Sequence, residues 1–203
     1  MTGRRKKELE QRVFRLTLAT ISWNIVEAAV AITCGVIAGS LALRGFGMDS
    51  LIEVASAFII FWKLTGGRSA DNEARENTAR RGIAVTFLAL ALWISWESIS
   101  ILRNRIESDT SIAGIVLATL SLCIMPILGT AKMRLGRALK SRAIQADAIE
   151  TLVCAWLSAS LLAGLGLRAI LNWWWADTVG ALLMVPFLLW QTWETWEESG
   201  ERD

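Results

Sequence analysis

The sequence predicts an all-α protein, a bundle of six transmembrane helices with both termini on the cytoplasmic side. Three observations carry this reading. Of the 203 residues 54% are hydrophobic and 15 others are glycine, an apolar share above that of soluble domains. The 21 basic and 19 acidic side chains gather mostly between the apolar runs. Six of those runs approach the roughly 20 apolar residues that a helix needs to cross a hydrocarbon core of about 30 Å. None alternates as a spanning strand would, so helices are the form that satisfies the backbone in lipid.

In order, the runs cover about 17–42, 47–64, 82–102, 111–130, 147–169 and 177–192. They divide the chain into a basic cytoplasmic arm (1–16), a six-helix membrane domain (17–192) and an acidic cytoplasmic tail (193–203). The first run follows Arg4, Arg5, Lys6 and Lys7 but lacks a small-residue cleavage pattern, so it reads as a span and not a signal peptide. The second ends at Trp62, and the polar 64–81 connection extends the adjoining helices as a solvated face. The third closes on Arg103 and Arg105, and the fourth runs into Lys132, Arg134, Arg137, Lys140 and Arg142. The fifth closes on Arg168, and the sixth lies between Trp173–Trp175 and the group Trp190, Trp193 and Trp196. Such tryptophans suit the two membrane interfaces.

Basic residues set the orientation. The arm holds Arg4, Arg5, Lys6, Lys7, Arg12 and Arg15. The second connection holds Lys63, Arg68, Arg75, Arg80 and Arg81, the fourth holds the five basic residues from Lys132 to Arg142, and Arg202 lies in the tail. The opposite side has Arg44, Arg103, Arg105 and Arg168. The excess on one side marks that side as cytoplasmic, and two cytoplasmic termini require an even number of spans.

The near balance of charge excludes a nucleic-acid binder driven by bulk positive charge, and the apolar content excludes a disordered chain. Cys34, Cys123 and Cys154 all lie inside apolar runs, which argues against a disulfide scaffold. The chain has no His and no Tyr, so imidazole is removed as ligand, acid or base. It shows no phosphate-cradling loop, Ser–His–Asp set or dinucleotide fingerprint. Neither an enzyme nor a resident cofactor is expected.

Function is therefore sought where composition is costly. A mid-bilayer carboxylate costs at least about 2.5–3.5 kcal/mol on insertion scales, yet Glu27, Asp49, Glu53, Glu97, Asp147, Glu150 and Asp177 all fall within or at the ends of spans. Asp147, Asp177 and Glu97 can reach an interface as helix-end groups, and Asp177 in a first turn complements the helix dipole. Glu27 is deeper. Asp49 and Glu53 are four residues apart on one helix face, with no basic residue in the neighbouring turns. Glu150 and Cys154 repeat that spacing on the fifth span. Facing each other, these four groups suffice for a tetrahedral site. Oxygen donors with one thiolate suit a borderline ion such as Zn²⁺ better than Mg²⁺ or Ca²⁺. Taken singly, Cys154 is more commonly a small buried hydrophobe, and a protonated, metal-free carboxylate pair is the competing account of Asp49 and Glu53.

At the same residues the sequence resembles the cation diffusion facilitator, or cation efflux, family. Asn24–Glu27, then Gly39-Ser40-Leu41-Ala42-Leu43 and Asp49-Ser50-Leu51-Ile52-Glu53-Val54-Ala55-Ser56 are similar to the family's N…GSxAL…DSxxDxxS pattern. Glu97-Ser98-Ile99 resembles its ESI element, Ser141 to Thr151 its SxAxxADAxHT run, and Trp175-Ala176-Asp177 the start of its WADP. The resemblance spans the six-helix unit in order. It implies metal ligands at Asp49, Glu53, Glu150 and Cys154, with Glu150 and Cys154 standing where the family typically carries His and Asp. The shorter members, which end after six spans without a C-terminal cytoplasmic domain, are the most similar.

The resemblance implies a divalent-cation transporter. The expected mechanism is alternating access with protons as the exchanged partner. Glu150 is the expected proton-coupled ligand, because a carboxylate in an apolar site can titrate near neutrality. Asn24 and Glu27 are weaker candidates for supporting the ligands, and Asp147 and Asp177 for a proton pathway. The competing reading is a non-transporting metal-binding or sensor protein with altered ligands. Gly35 and Gly39 have the small-xxx-small spacing of close helix contacts, either between two copies in a homodimer or within one chain. The expected location is a multi-pass position in the lipid bilayer, the inner cell membrane in a bacterium. For Asp49 to meet Glu150, the second helix must begin before its apolar run or the fifth well before residue 147.

Overall fold

Helix boundaries follow the polar punctuation of the chain. A computed structural model describes residues 3–65 and 70–200, with side chains for 7–9, 11–58, 81–141, 144–145 and 147–197. The helices are α1 (Gly3–Ile37), α2 (Leu41–Thr65), α3 (Ala70–Asn104), α4 (Ile112–Leu139), α5 (Arg142–Leu171) and α6 (Ala176–Gly200). There is no strand among the described residues, so the all-α bundle is as the sequence predicts. Gly39 turns the chain between α1 and α2 with φ +63, a conformation open to glycine at little cost. Ser111 and Ser141 cap α4 and α5 by accepting from Gly114 N at 3.1 Å and Ile144 N at 3.4 Å. Lys140 and Asn172 end the same helices in left-handed geometry.

Several boundaries differ from the apolar runs. The first run ends at 37 and not 42, and the second helix begins at Leu41 and not 47. Arg44, expected in an outer connection, is therefore in the first turns of α2. Its Nε donates to Ser40 O at 3.3 Å and its guanidinium lies 5.7 Å from the Trp93 ring centre, which lets a cation share a helix with apolar neighbours. Lys132, expected in a cytoplasmic connection, lies inside α4. The basic arm and acidic tail continue α1 and α6 as helix as far as Gly3 and Gly200. The side chains of Arg4, Arg5, Lys6, Trp62, Lys63, Arg75, Arg80, Arg142 and Glu198, and all of Arg68, Glu201, Arg202 and Asp203, lie outside the described residues. The solvated-face reading of 64–81 lies outside them too.

Four helical stretches are long and apolar enough to cross a membrane: Lys7–Ile37, Arg81–Asn104, Ile112–Leu139 and Asp147–Leu171. In α2 and α6 the apolar run is diluted by Asp49, Glu53, Asp177 and Gln191, all of which are buried. Ile37, Trp96, Ile112, Ile127 and Ile170 are exposed on the perimeter, the reverse of a water-soluble bundle. The most extensive packing pairs α4 with α5, α3 with α6 and α1 with α2, and α1 also meets α4 while α2 meets α5. Helices α1, α2, α4 and α5 thus converge on a shared interior.

Small residues permit these contacts. A Cβ on Gly180 of α6 would lie 3.0 Å from Gly164 Cα of α5, so those backbones nearly touch. Gly35 faces Arg44 and Leu43 of the same chain, while Gly39 lies beyond the end of α1. The two glycines therefore do not form one helical stripe. At the end of the bundle holding the α1–α2 turn, Asp109 N donates to Ala38 O at 2.8 Å. Arg168 there donates to Ser108 O at 2.9 Å and to Glu107 at 3.0 Å.

Candidate metal centre

The start of α2 determines where its acids lie. Asp177, in the first turn of α6, accepts from Leu41 N at 2.8 Å and from Ser40 Oγ at 2.6 Å, and Ser40 Oγ in turn accepts from Leu43 N at 3.1 Å. A carboxylate from one helix so satisfies the orphan amides that begin another. With α2 beginning at Leu41, Asp49 lies about 12 Å along it and Glu53 about 18 Å, at 1.5 Å per residue. Helix α5 enters from the opposite end at Arg142, so Glu150 and Cys154 stand at comparable depths. Both conditions for the two helices to share a level are met.

The interior at that level is acidic. Asp49 is 1% exposed, and neither of its carboxylate oxygens has a hydrogen-bond partner. Glu53 is buried beside it. Its Oε2 accepts from Asn24 Nδ2 at 2.7 Å, while its Oε1 and the Asn24 Oδ1 have no partner. Glu27 is fully buried in the same interior. Its Oε1 accepts from Trp23 Nε1 at 2.7 Å and its Oε2 from Ser50 Oγ at 3.4 Å, with Cys154 Sγ 3.9 Å away. Nearby, the buried Ser121 of α4 accepts from Ser158 of α5 at 2.9 Å. The fully buried Cys154 faces Glu53 as well as Glu27, and the charges of Asp49, Glu27 and Glu150 all act on Glu53.

Beside this cluster is a cavity of about 20 Å³, room for about one water molecule. Glu53, Glu150, Asn24, Lys132, Asp147 and Thr151 line it, with Thr17 and Thr20 towards the start of α1. Lys132 is 0% exposed. Its Nζ lies 3.0 Å from both carboxylate oxygens of Asp147 and 3.2 Å from Thr151 Oγ1.

The expected site residues therefore fall into groups. Asp49, Glu53 and Cys154 are buried in the cluster together with Asn24 and Glu27, and Glu150 stands half-buried on the cavity wall beside it. Asp147 lines the cavity and pairs with Lys132, whereas Asp177 caps α2 some two helical turns from Asp49. Among the described residues no three Cys, Asp or Glu side chains converge closely enough to hold one metal ion. The four expected ligands are neighbours and not a closed shell, which would need donors about 2.0–2.3 Å from a common centre.

Lys132 belongs to this site although its position had counted only towards the basic side. The signal was present in its spacing. The buried stripe of α4 includes Met125, Gly129, Lys132 and Gly136, so the lysine lies on the face that meets α5. At Gly129 and Gly136 an added Cβ would meet Leu152 and Gln145 of that helix at 2.8 and 2.9 Å. The absence of a basic residue in the turns neighbouring Asp49 and Glu53 does not leave the interior without a cation. None is adjacent on α2, but one is supplied across the bundle.

The profile of the cation efflux transmembrane domain matches residues 17–201. The chain belongs to the cation efflux family. Membership and the apolar helices together make it an integral, multi-pass membrane protein. It is 26% identical over 163 residues to Transmembrane protein 163 of Xenopus laevis, an alignment covering 78% of this chain and 58% of that protein. It is also 26% identical over 197 residues to an uncharacterized transporter of Synechocystis sp., covering 94% of this chain and 61% of the relative. The chain spans about three fifths of the length of these curated relatives.

Proposed function

We propose that this protein carries a Zn²⁺-like divalent cation across the membrane in exchange for protons, with Asp49, Glu53, Glu150 and Cys154 as the ion's ligands. The observation that supports this most is the set of unpartnered oxygens at the α1–α2 contact: both of Asp49, one of Glu53 and one of Asn24, all buried. A buried carboxylate without a partner is costly. A dication drawing in Glu150 from the cavity wall and Cys154 from the core would satisfy the set at once. Oxygens plus one sulfur favour Zn²⁺ over ions that require oxygen alone. In the site the ion is substrate, and ligand deprotonation on binding couples its affinity to protons.

The arrangement of the ends supports alternating access. The cavity lies towards the start of α1, the end that carries Lys7, Arg12 and Arg15 and that the basic-residue asymmetry makes cytoplasmic. The far end is tied by the Asp177 cap and by the Arg168 and Asp109 bonds. On this reading the cavity marks the inward path to the ligands, and outward release requires the ties at the far end to part. Zn²⁺ uptake into proteoliposomes under an opposing proton gradient tests the reading. Asp49→Ala and Glu150→Ala are each expected to reduce flux by about ten-fold or more. Parental flux in both variants would overturn the ligand assignment, and stoichiometric Zn²⁺ binding without flux would replace the transporter by a sensor.

A further inference from the structure

Lysine is almost never fully buried unless paired, and burying an ion pair is seldom a net gain in stability. Lys132 is buried nonetheless, on the wall of the cavity that leads to Glu53. A bond to Asp147 alone would not require this depth. Asp147, Glu150 and Thr151 lie at i, i+3 and i+4 on α5 and thus share one face. The ammonium bonds Asp147 and Thr151, and Glu150 lines the same space as these three residues. Lysine carries its charge as a compact ammonium at the end of a four-carbon stem, which here delivers it to the cavity wall that Glu53 and Glu150 also form.

We propose that Lys132 is a tethered counter-cation: held by Asp147 on the cavity wall, its charge offsets those of Glu53 and Glu150 when the transported ion is absent and opposes the ion when it binds. The inference rests on the ligand assignment proposed above and adds a second occupant to that site. With the ion gone, the acids are not left bare, because the protein supplies a positive charge of its own. The same charge limits how tightly the ion is held and so hastens its release. Asp147 is then the group that holds the ammonium in place.

The test compares Zn²⁺ dissociation constants for the full chain in detergent, by competition with a chromophoric chelator at one fixed pH. The variants are Lys132→Met, the double variant Lys132→Met/Asp147→Asn, and Asp49→Asn as control. The double variant keeps the formal charge of the parent and leaves neither partner unpaired, so it carries the comparison if the single variant does not fold. Lys132→Met is expected to bind Zn²⁺ about ten-fold more tightly, and the double variant at least about three-fold more tightly, than the parent. Zn²⁺ turnover in proteoliposomes is expected to fall in both as release slows. A parental dissociation constant in the double variant would overturn the inference, because Lys132 would then act only by balancing Asp147. Weaker binding in both variants would overturn it too, as the mark of a structural strut. If the parent binds no Zn²⁺, or Asp49→Asn binds as the parent does, the ligand assignment itself fails and takes this inference with it. A normal control with an unchanged double variant removes the counter-cation alone.

Discussion

Asn24 donates to one oxygen of Glu53 and leaves the other, with its own carbonyl, facing the acidic cluster. A residue that orients a ligand in this way typically changes metal affinity by about 10- to 100-fold when removed. Asn24→Ala is accordingly expected to weaken Zn²⁺ binding by about ten-fold or more, measured by chelator competition; parental affinity would show that Asn24 does not orient Glu53. At this scale the sequence was informative about depth and silent about direction. The acids Asp49 and Glu53 stood out because they interrupt an apolar run. Glu27 stood out for the same reason, but its contacts with Ser50 and Cys154 come from two other helices, α2 and α5. Spacing along one helix does not contain such contacts. Lys132 was masked by its neighbours, since a basic residue beside Arg134 and Arg137 reads as part of a loop. Only the glycines three residues before and four after it betray the buried face.

Helix α2 illustrates what an apolar window misses at the scale of elements. Residues 38–46 are nearly all apolar apart from Ser40 and Arg44, so the first run extends across a turn that belongs to Gly39. The start of α2 is specified instead by Ser40 and by Asp177, which arrives from 137 residues away. No local pattern could have contained that bond. Asp177→Ala removes both its bond to Leu41 N and its bond to Ser40 Oγ. A loss of about 2 kcal/mol, or roughly 4–8 °C in Tm, is expected for buried bonds of this kind in a chain of this size. Asp177→Asn keeps one acceptor and should lose less. Thermal unfolding in detergent measures both, and an unchanged Tm in Asp177→Ala would show that the cap does not hold α2.

For the whole molecule, the six helices and their order were legible because bilayer thickness sets a minimum length for each apolar run. What composition could not give was the pairing of helices, here α1, α2, α4 and α5 around one acidic interior with α3 packed on α6. That pairing comes from close approaches at glycines and from polar bonds between distant residues. It brings the α2 pair near the α5 pair without closing a coordination shell. The account's central claim is that these two pairs close on a dication. X-ray absorption at the zinc edge, on Zn²⁺-loaded protein with any affinity tag removed, tests it most directly. With no histidine in the chain, the claim predicts oxygens at about 2.0 Å and one sulfur at about 2.3 Å, the sulfur vanishing in Cys154→Ser and the oxygen count falling in Asp49→Ala. A zinc shell without sulfur, or one that these substitutions leave unchanged, would contradict it.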